Sequence, residues 1–359
     1  YQKGYIRAGW NMVCELLKTI LQTTVLLLTG NFILYLVVQQ VVQLLPNIMV
    51  SHRADHEFPY LKECHELPEK EERNGILKNI GAMSMPKLAT VIVNNTDSLL
   101  MSSFIGLTAV GIYSNYRMVI INVQNIIVKL LSAFTGSVGN LSASEEPAKV
   151  YRIYREMDFM FFVLNAYFAA GMFILINPFI AIFFGEQYCF STVTVALIIT
   201  SFFITGLRRV NLIFREGMGL FWNDRYKAVA ESIINLVVSL LLVKPFGIAG
   251  IVGGTIISTV TTCAWIEPYV LMKHGIKEDW QARLRRYFAE YAQHCALTAA
   301  LSAAGWYAAS RFPIDHIGKF LAAGILYTIV FAAVILLCYR KTEEYSSLKA
   351  RCFALVRRK

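Results

Sequence analysis

Charge is what this sequence has least of: only 16% of its 359 residues are Asp, Glu, Lys or Arg. Soluble domains carry about a quarter, so a chain clothed throughout in water is excluded. The seven cysteines include no C-x-x-C pair, which removes a redox dithiol and a zinc-ribbon reading. There is no Gly-Lys-Ser/Thr phosphate loop, no serine nucleophile elbow, no His-Glu zinc motif and no pair of carboxylates set for acid–base work. An ATP-driven pump or an enzyme therefore has nothing to build on, and no motif calls for a cofactor or a metal.

What is present is apolar. Hydrophobic residues make up 56% of the chain and mean hydropathy is +0.50, the composition of a membrane protein. A spanning helix needs about 20 largely apolar residues. That length predicts about ten spans: 10–28, 32–50, 80–105, 112–134, 159–184, 190–214, 228–243, 248–272, 287–310 and 317–339. The expected fold class is all-α, a polytopic bundle of membrane helices.

The loops between these spans alternate in charge. One set carries Lys3 and Arg7, then five cations over 51–79, then Lys149, Arg152 and Arg155, then Arg215, Arg225 and Lys227. It continues with Lys273, Lys277, Arg283, Arg285 and Arg286 and ends in the basic tail 340–359. The opposite set holds Lys244, Arg311 and Lys319. The positive-inside rule places the first set, and both ends of the chain, in the cytoplasm. The net charge of +10 is thus a topology signal and an attraction to anionic membrane lipids, not a nucleic-acid surface. In the loop 51–79, His52, His56, Cys64 and His65 match no zinc spacing and read as a solvated linker.

A few charges remain inside the expected spans: Lys87, Asp97, Arg117, Lys129, Arg208 and Arg209, with Glu15, Lys18 and Glu231 nearer the ends. Four cations at mid-depth would cost roughly 10–14 kcal/mol against lipid, so they are expected to face a polar cavity. On the helix from Ile112, the residues Asn115, Arg117, Asn122, Asn125 and Lys129 fall within less than half of the circumference. The preceding helix adds Asn94, Asn95 and Asp97, with Pro86 beside Lys87 as an expected kink. Guanidinium and ammonium groups in such a cavity suit a phosphate. Gly247, Gly250, Gly253 and Gly254 are spaced to let helix backbones meet.

The stretch Asn94-Asn95-Thr96-Asp97-Ser98-Leu99-Leu100, with Phe104-Ile105-Gly106 and Val110-Gly111-Ile112-Tyr113-Ser114-Asn115-Tyr116-Arg117, resembles the seventh-to-eighth helix region of bacterial polysaccharide-repeat flippases. These belong to the multidrug/oligosaccharidyl-lipid/polysaccharide exporter superfamily. Lys244-Pro245-Phe246-Gly247-Ile248-Ala249-Gly250 is similar to the turn between their eleventh and twelfth helices, and Thr29-Gly30-Asn31 to that between the fifth and sixth. The resemblance implies a two-lobed exporter fold with the first four helices missing, since the chain opens on Tyr1 before the fifth. It divides the chain into two last helices of the first bundle (1–50), a cytoplasmic linker (51–79) and a complete six-helix bundle (80–273). A cytoplasmic loop (274–286), two added helices (287–339) and a basic tail follow.

The same resemblance implies alternating-access transfer of an undecaprenyl-pyrophosphate-linked oligosaccharide across the bacterial inner membrane. Lys87, Arg117 and Lys129 would engage the pyrophosphate, with Asp97, Asn122, Asn125 and Arg208 completing the cavity. A polysaccharide polymerase and chain-length machinery are the partners it implies. The alternatives are a multidrug cation antiporter, which needs a net acidic cavity, and a membrane polysaccharide polymerase, which needs a large outer loop or catalytic carboxylates at one face.

Overall fold

The structure, a computed structural model, describes residues 4–57, 69–347 and 349; within its helices the side chains of Lys87, Asn94 and Asn95, among others, are outside the description. Every regular element among the described residues is helical. In order these are α1 (Gly4–Thr29), α2 (Phe32–Glu57), α3 (Lys70–Phe104), α4 (Leu107–Ser144), α5 (Pro147–Phe183) and α6 (Thr192–Leu207). They continue with α7 (Arg209–Gly217), α8 (Lys227–Thr261), α9 (Cys263–Val270), α10 (Trp280–Arg311) and α11 (Ile317–Tyr339).

Among the described residues, six stretches are long and apolar enough to cross a membrane: Gly9–Thr29, Phe32–Glu57, Pro147–Phe183, Thr192–Gly217, Leu220–Ile276 and Ile317–Tyr339. The chain is a multi-pass membrane protein. The expected spans 80–105, 112–134 and 287–310 also fall on helices, α3, α4 and α10, which are not among these six. Much of the loop expected over 51–79 is helical: α2 runs on to Glu57 and α3 starts at Lys70, so the helices extend past their apolar segments. His52 and His56 are exposed on the end of α2, while Cys64 and His65 lie outside the described residues.

The chain divides into two compact units, Tyr1–Ile76 and Leu77–Lys359. In the first, α1 and α2 form a hairpin. Gly30 turns the chain with φ of 60°, and the Asn31 side chain then caps α2 by accepting from the backbone N–H groups of Ile33 at 2.9 Å and Leu34 at 3.3 Å. Across the hairpin Gln22 donates to Gln39 at 3.3 Å, and Lys18 pairs with Glu15 on its own helix. Most of the apolar residues of this hairpin are exposed, as contact with lipid or with neighbouring helices requires.

In the second unit α5 is the hub, packed on by α4, α6, α7, α10 and α11. It is apolar on nearly every side, which suits a helix surrounded by others. Phe159, Phe161, Phe162, Ala166, Ala169, Met172, Ile176 and Ile180 supply its share of the core. Buried polar groups on this scaffold satisfy one another. Tyr154 donates to Asn211 at 2.7 Å, and Asn211 donates to Tyr287 at 3.0 Å, tying α5, α7 and α10 together.

The stretch Leu220–Ile276 would be roughly 85 Å long as one helix, nearly three membrane thicknesses. It doubles back instead. Gly247 leaves the helical region with φ of 57° and ψ of −131°, and the two halves of α8 lie against each other. Asn235 donates to Thr255 at 2.9 Å across the hairpin, and Ser239 to the Ile251 carbonyl at 3.3 Å. A side chain at Gly250 would overlap the Leu242 carbonyl, and one at Gly254 would overlap Ser239. The glycine spacing thus permits the close approach that the sequence pattern required.

Candidate functional site

The second unit encloses a polar pocket of about 430 Å³. Asp97 enters from α3, Tyr113, Arg117 and Gln124 from α4, Ser201 and Thr205 from α6, Arg208 and Arg209 from the α6–α7 junction, and Glu231, Ser232, Thr255 and Thr259 from α8. Each contributing helix carries its polar residues in an otherwise apolar sequence, so the pocket collects groups that lipid would reject.

Arg208 owes its position to a break between α6 and α7. Asn165 of α5, almost fully buried, donates to the Phe203 carbonyl at 2.7 Å one turn earlier. Gly206 makes room for it, since a Cβ there would collide with the Asn165 amide. A polar side chain pressed against the helical ladder in this way is a recognised cause of helix breaks.

A chain of buried ion pairs starts at Arg208. Its Nε and Nη2 donate to the two carboxylate oxygens of Glu267 at 3.0 and 2.7 Å, a bidentate fork. Its Nη1 donates to Glu231 at 3.3 Å. Lys227 donates to Glu267 at 2.7 Å and pairs with Asp224 at 2.9 Å, and Arg215 pairs with the same Asp224. Three cations thus meet three carboxylates. Glu231 also accepts from Thr259 at 3.1 Å. This balance is what permits Glu267, with no exposed surface, to be charged at all.

Two further guanidinium groups, Arg117 and Arg209, line the pocket with no carboxylate at ion-pair distance among the described residues. On the opposite side Asp97 accepts from Thr255 at 3.3 Å, and Thr255 accepts from Asn235. One oxygen of Asp97 and the amide oxygen of Asn235 are buried without a hydrogen-bond partner among the described residues. Asp97 makes no ion pair among the described residues, and its hydrogen bond goes to a threonine hydroxyl.

Of the residues expected to form the cavity, Asp97, Arg117 and Arg208 are brought together here. Asn122, Asn125 and Lys129 are not. They lie on an exposed face of α4, and Asn122 returns its amide to the Met118 carbonyl at 2.8 Å. The helical stripe turns by 100° per residue, so Arg117 and Gln124 face inward while its continuation points outward. Lys87 lies in α3 with its side chain outside the description. Sequence reasoning missed Glu267 and Lys227. A signal for Glu267 existed, because a carboxylate within an expected apolar span demands a cationic partner.

No protein-family model, no curated protein and no solved structure matches this chain.

Proposed function

We propose that this protein is a flippase that moves undecaprenyl-pyrophosphate-linked oligosaccharide repeat units across the bacterial cytoplasmic membrane, for assembly of a surface polysaccharide. The observation that carries the reading is the pair Arg117 and Arg209, two guanidinium groups in a polar pocket of a membrane protein without carboxylate partners among the described residues. Uncompensated guanidinium groups at membrane depth are costly, and a phosphate is the natural counter-charge, accepting paired hydrogen bonds from each. The hydroxyl and amide groups of Ser201, Thr205 and Gln124 offer donors and acceptors for the adjoining sugar. In this reading the basic loops and both ends of the chain face the cytoplasm, and the pocket lies in one of two bundles that rock about the substrate. Polysaccharide polymerase and chain-length proteins would receive the product.

The test is to delete the gene in its host and measure lipid-linked oligosaccharide in the cytoplasmic leaflet. Build-up that the restored gene clears is expected. Unchanged leaflet composition with normal surface glycan would overturn the reading.

A second reading, export of a cationic compound in exchange for a small cation, is favoured by one observation: the unpartnered buried oxygens of Asp97 and Asn235 on either side of Thr255. Oxygen ligands of this kind suit a hard cation or a proton. Under that reading, cells carrying Asp97→Asn lose efflux of a lipophilic dye cation. Under the first reading they show no dye efflux attributable to this protein at all, with or without the substitution.

A further inference from the structure

We infer that Glu231 is a built-in competitor for the substrate's phosphate, holding the pocket edge of Arg208 while the pocket is empty and yielding it when the anion arrives. The inference rests on the anion-binding reading of the same pocket and concerns how that site is regulated.

The two carboxylates on Arg208 are held differently. Glu267 takes two nitrogens in a fork, has no exposed surface and lies behind the pocket wall, where Lys227 also holds it. Moving it would strand Arg208 and Lys227 together. Glu231 touches a single nitrogen, Nη1, at 3.3 Å, the longest contact to the Arg208 guanidinium, and its side chain keeps about a fifth of its surface accessible. It lines the pocket, as Arg208 does. It also has somewhere to go, because Thr259 donates to the same carboxylate oxygen at 3.1 Å. Glu231 can therefore leave Arg208 without becoming a carboxylate with no hydrogen bond.

The other charged groups lining the pocket with Glu231 and Arg208 are Arg117, Arg209 and Asp97. A diphosphate entering among Arg117, Arg209 and the freed Nη1 of Arg208 would bring at least two negative charges where Glu231 offers one. A doubly charged, multidentate anion outcompetes a single carboxylate for three guanidinium groups. When the substrate departs, the carboxylate returns to Nη1 without diffusing. Such a tethered competitor weakens apparent affinity by the fraction of time it occupies the site and so favours release. A transporter needs that property, since a site that only holds does not turn over.

The experiment titrates the purified full-length protein in lipid nanodiscs with inorganic pyrophosphate by calorimetry. Glu231→Gln keeps the shape and the Thr259 contact while removing the charge, and is expected to bind about tenfold more tightly than wild type. Thr259→Val removes the alternative resting place of Glu231 and is expected to bind more weakly than wild type, about threefold. Wild-type binding with Glu231→Gln equal or weaker overturns the inference and leaves the anion pocket standing. Should Glu231→Gln fail to fold, binding by Thr259→Val no weaker than wild type overturns it in the same way. Absence of binding by wild type and both variants would instead remove the anion-binding reading on which the inference stands.

Discussion

Replacing Glu267 with Gln is expected to destabilise the protein by about 3–5 kcal/mol, the usual consequence of removing one partner from a buried ion pair. The side chain has no exposed surface and holds two cations at once, Arg208 through two bonds and Lys227 through one. Its loss leaves Arg208 with only the single contact to Glu231 and Lys227 with only Asp224. Thermal unfolding in detergent, followed by the loss of helical signal, measures the effect. The companion Arg208→Met, Glu267→Leu double variant should recover part of the lost stability, because apolar groups of similar volume remove both charges together. An unfolding temperature for Glu267→Gln equal to that of wild type would mean that this network does not hold α8, α9 and the α6–α7 junction together.

The second large effect is expected on binding. Changing Arg117 and Arg209 together to Ala removes the two guanidinium groups available to an anion while leaving the Arg208 network intact. A hydrogen bond to a charged group contributes about 1.5–3 kcal/mol, so losing two such donors weakens pyrophosphate binding about a hundredfold or more. Lys at both positions should retain part of the affinity, as the charge survives and the bidentate geometry does not. Calorimetric titration measures both variants. In cells, the Ala form should leave lipid-linked oligosaccharide on the cytoplasmic leaflet where wild type clears it. Undiminished binding by the double-Ala variant would place the anion elsewhere.

The helical character of the chain was legible because it depends on runs and repeats along the sequence. The ten expected spans fall on helical segments, although 190–214 is broken between α6 and α7 and 248–272 runs from α8 through α9, and among the described residues six stretches are long and apolar enough to cross a membrane. The hairpin at Gly247 and the close packing at Gly250 and Gly254 were also readable, since a glycine cluster in an apolar run states where backbones can meet. Asp97, Arg117 and Arg208 could be singled out by the cost of charge at membrane depth alone.

That cost says a partner must exist and does not say which. Arg208 could be matched to Glu231 or to another carboxylate by sequence, yet its strongest partner is Glu267, 59 residues along the chain, brought there by the α8 hairpin and the short α9. The polar stripe on α4 was read as one surface, and only its packing against α5 and α7 divides it into pocket-facing Arg117 and Gln124 and outward Asn122, Asn125 and Lys129. By itself the sequence determined that this is a helical, multi-pass membrane protein with costly charges inside it, because hydropathy and local propensity act over one or two turns. Which charges neutralise one another, and which two guanidinium groups of the pocket are left without an ion pair among the described residues, was decided by the tertiary structure. Coulomb attraction and hydrogen bonding act through space, at distances of a few ångströms that only the packing of helices sets.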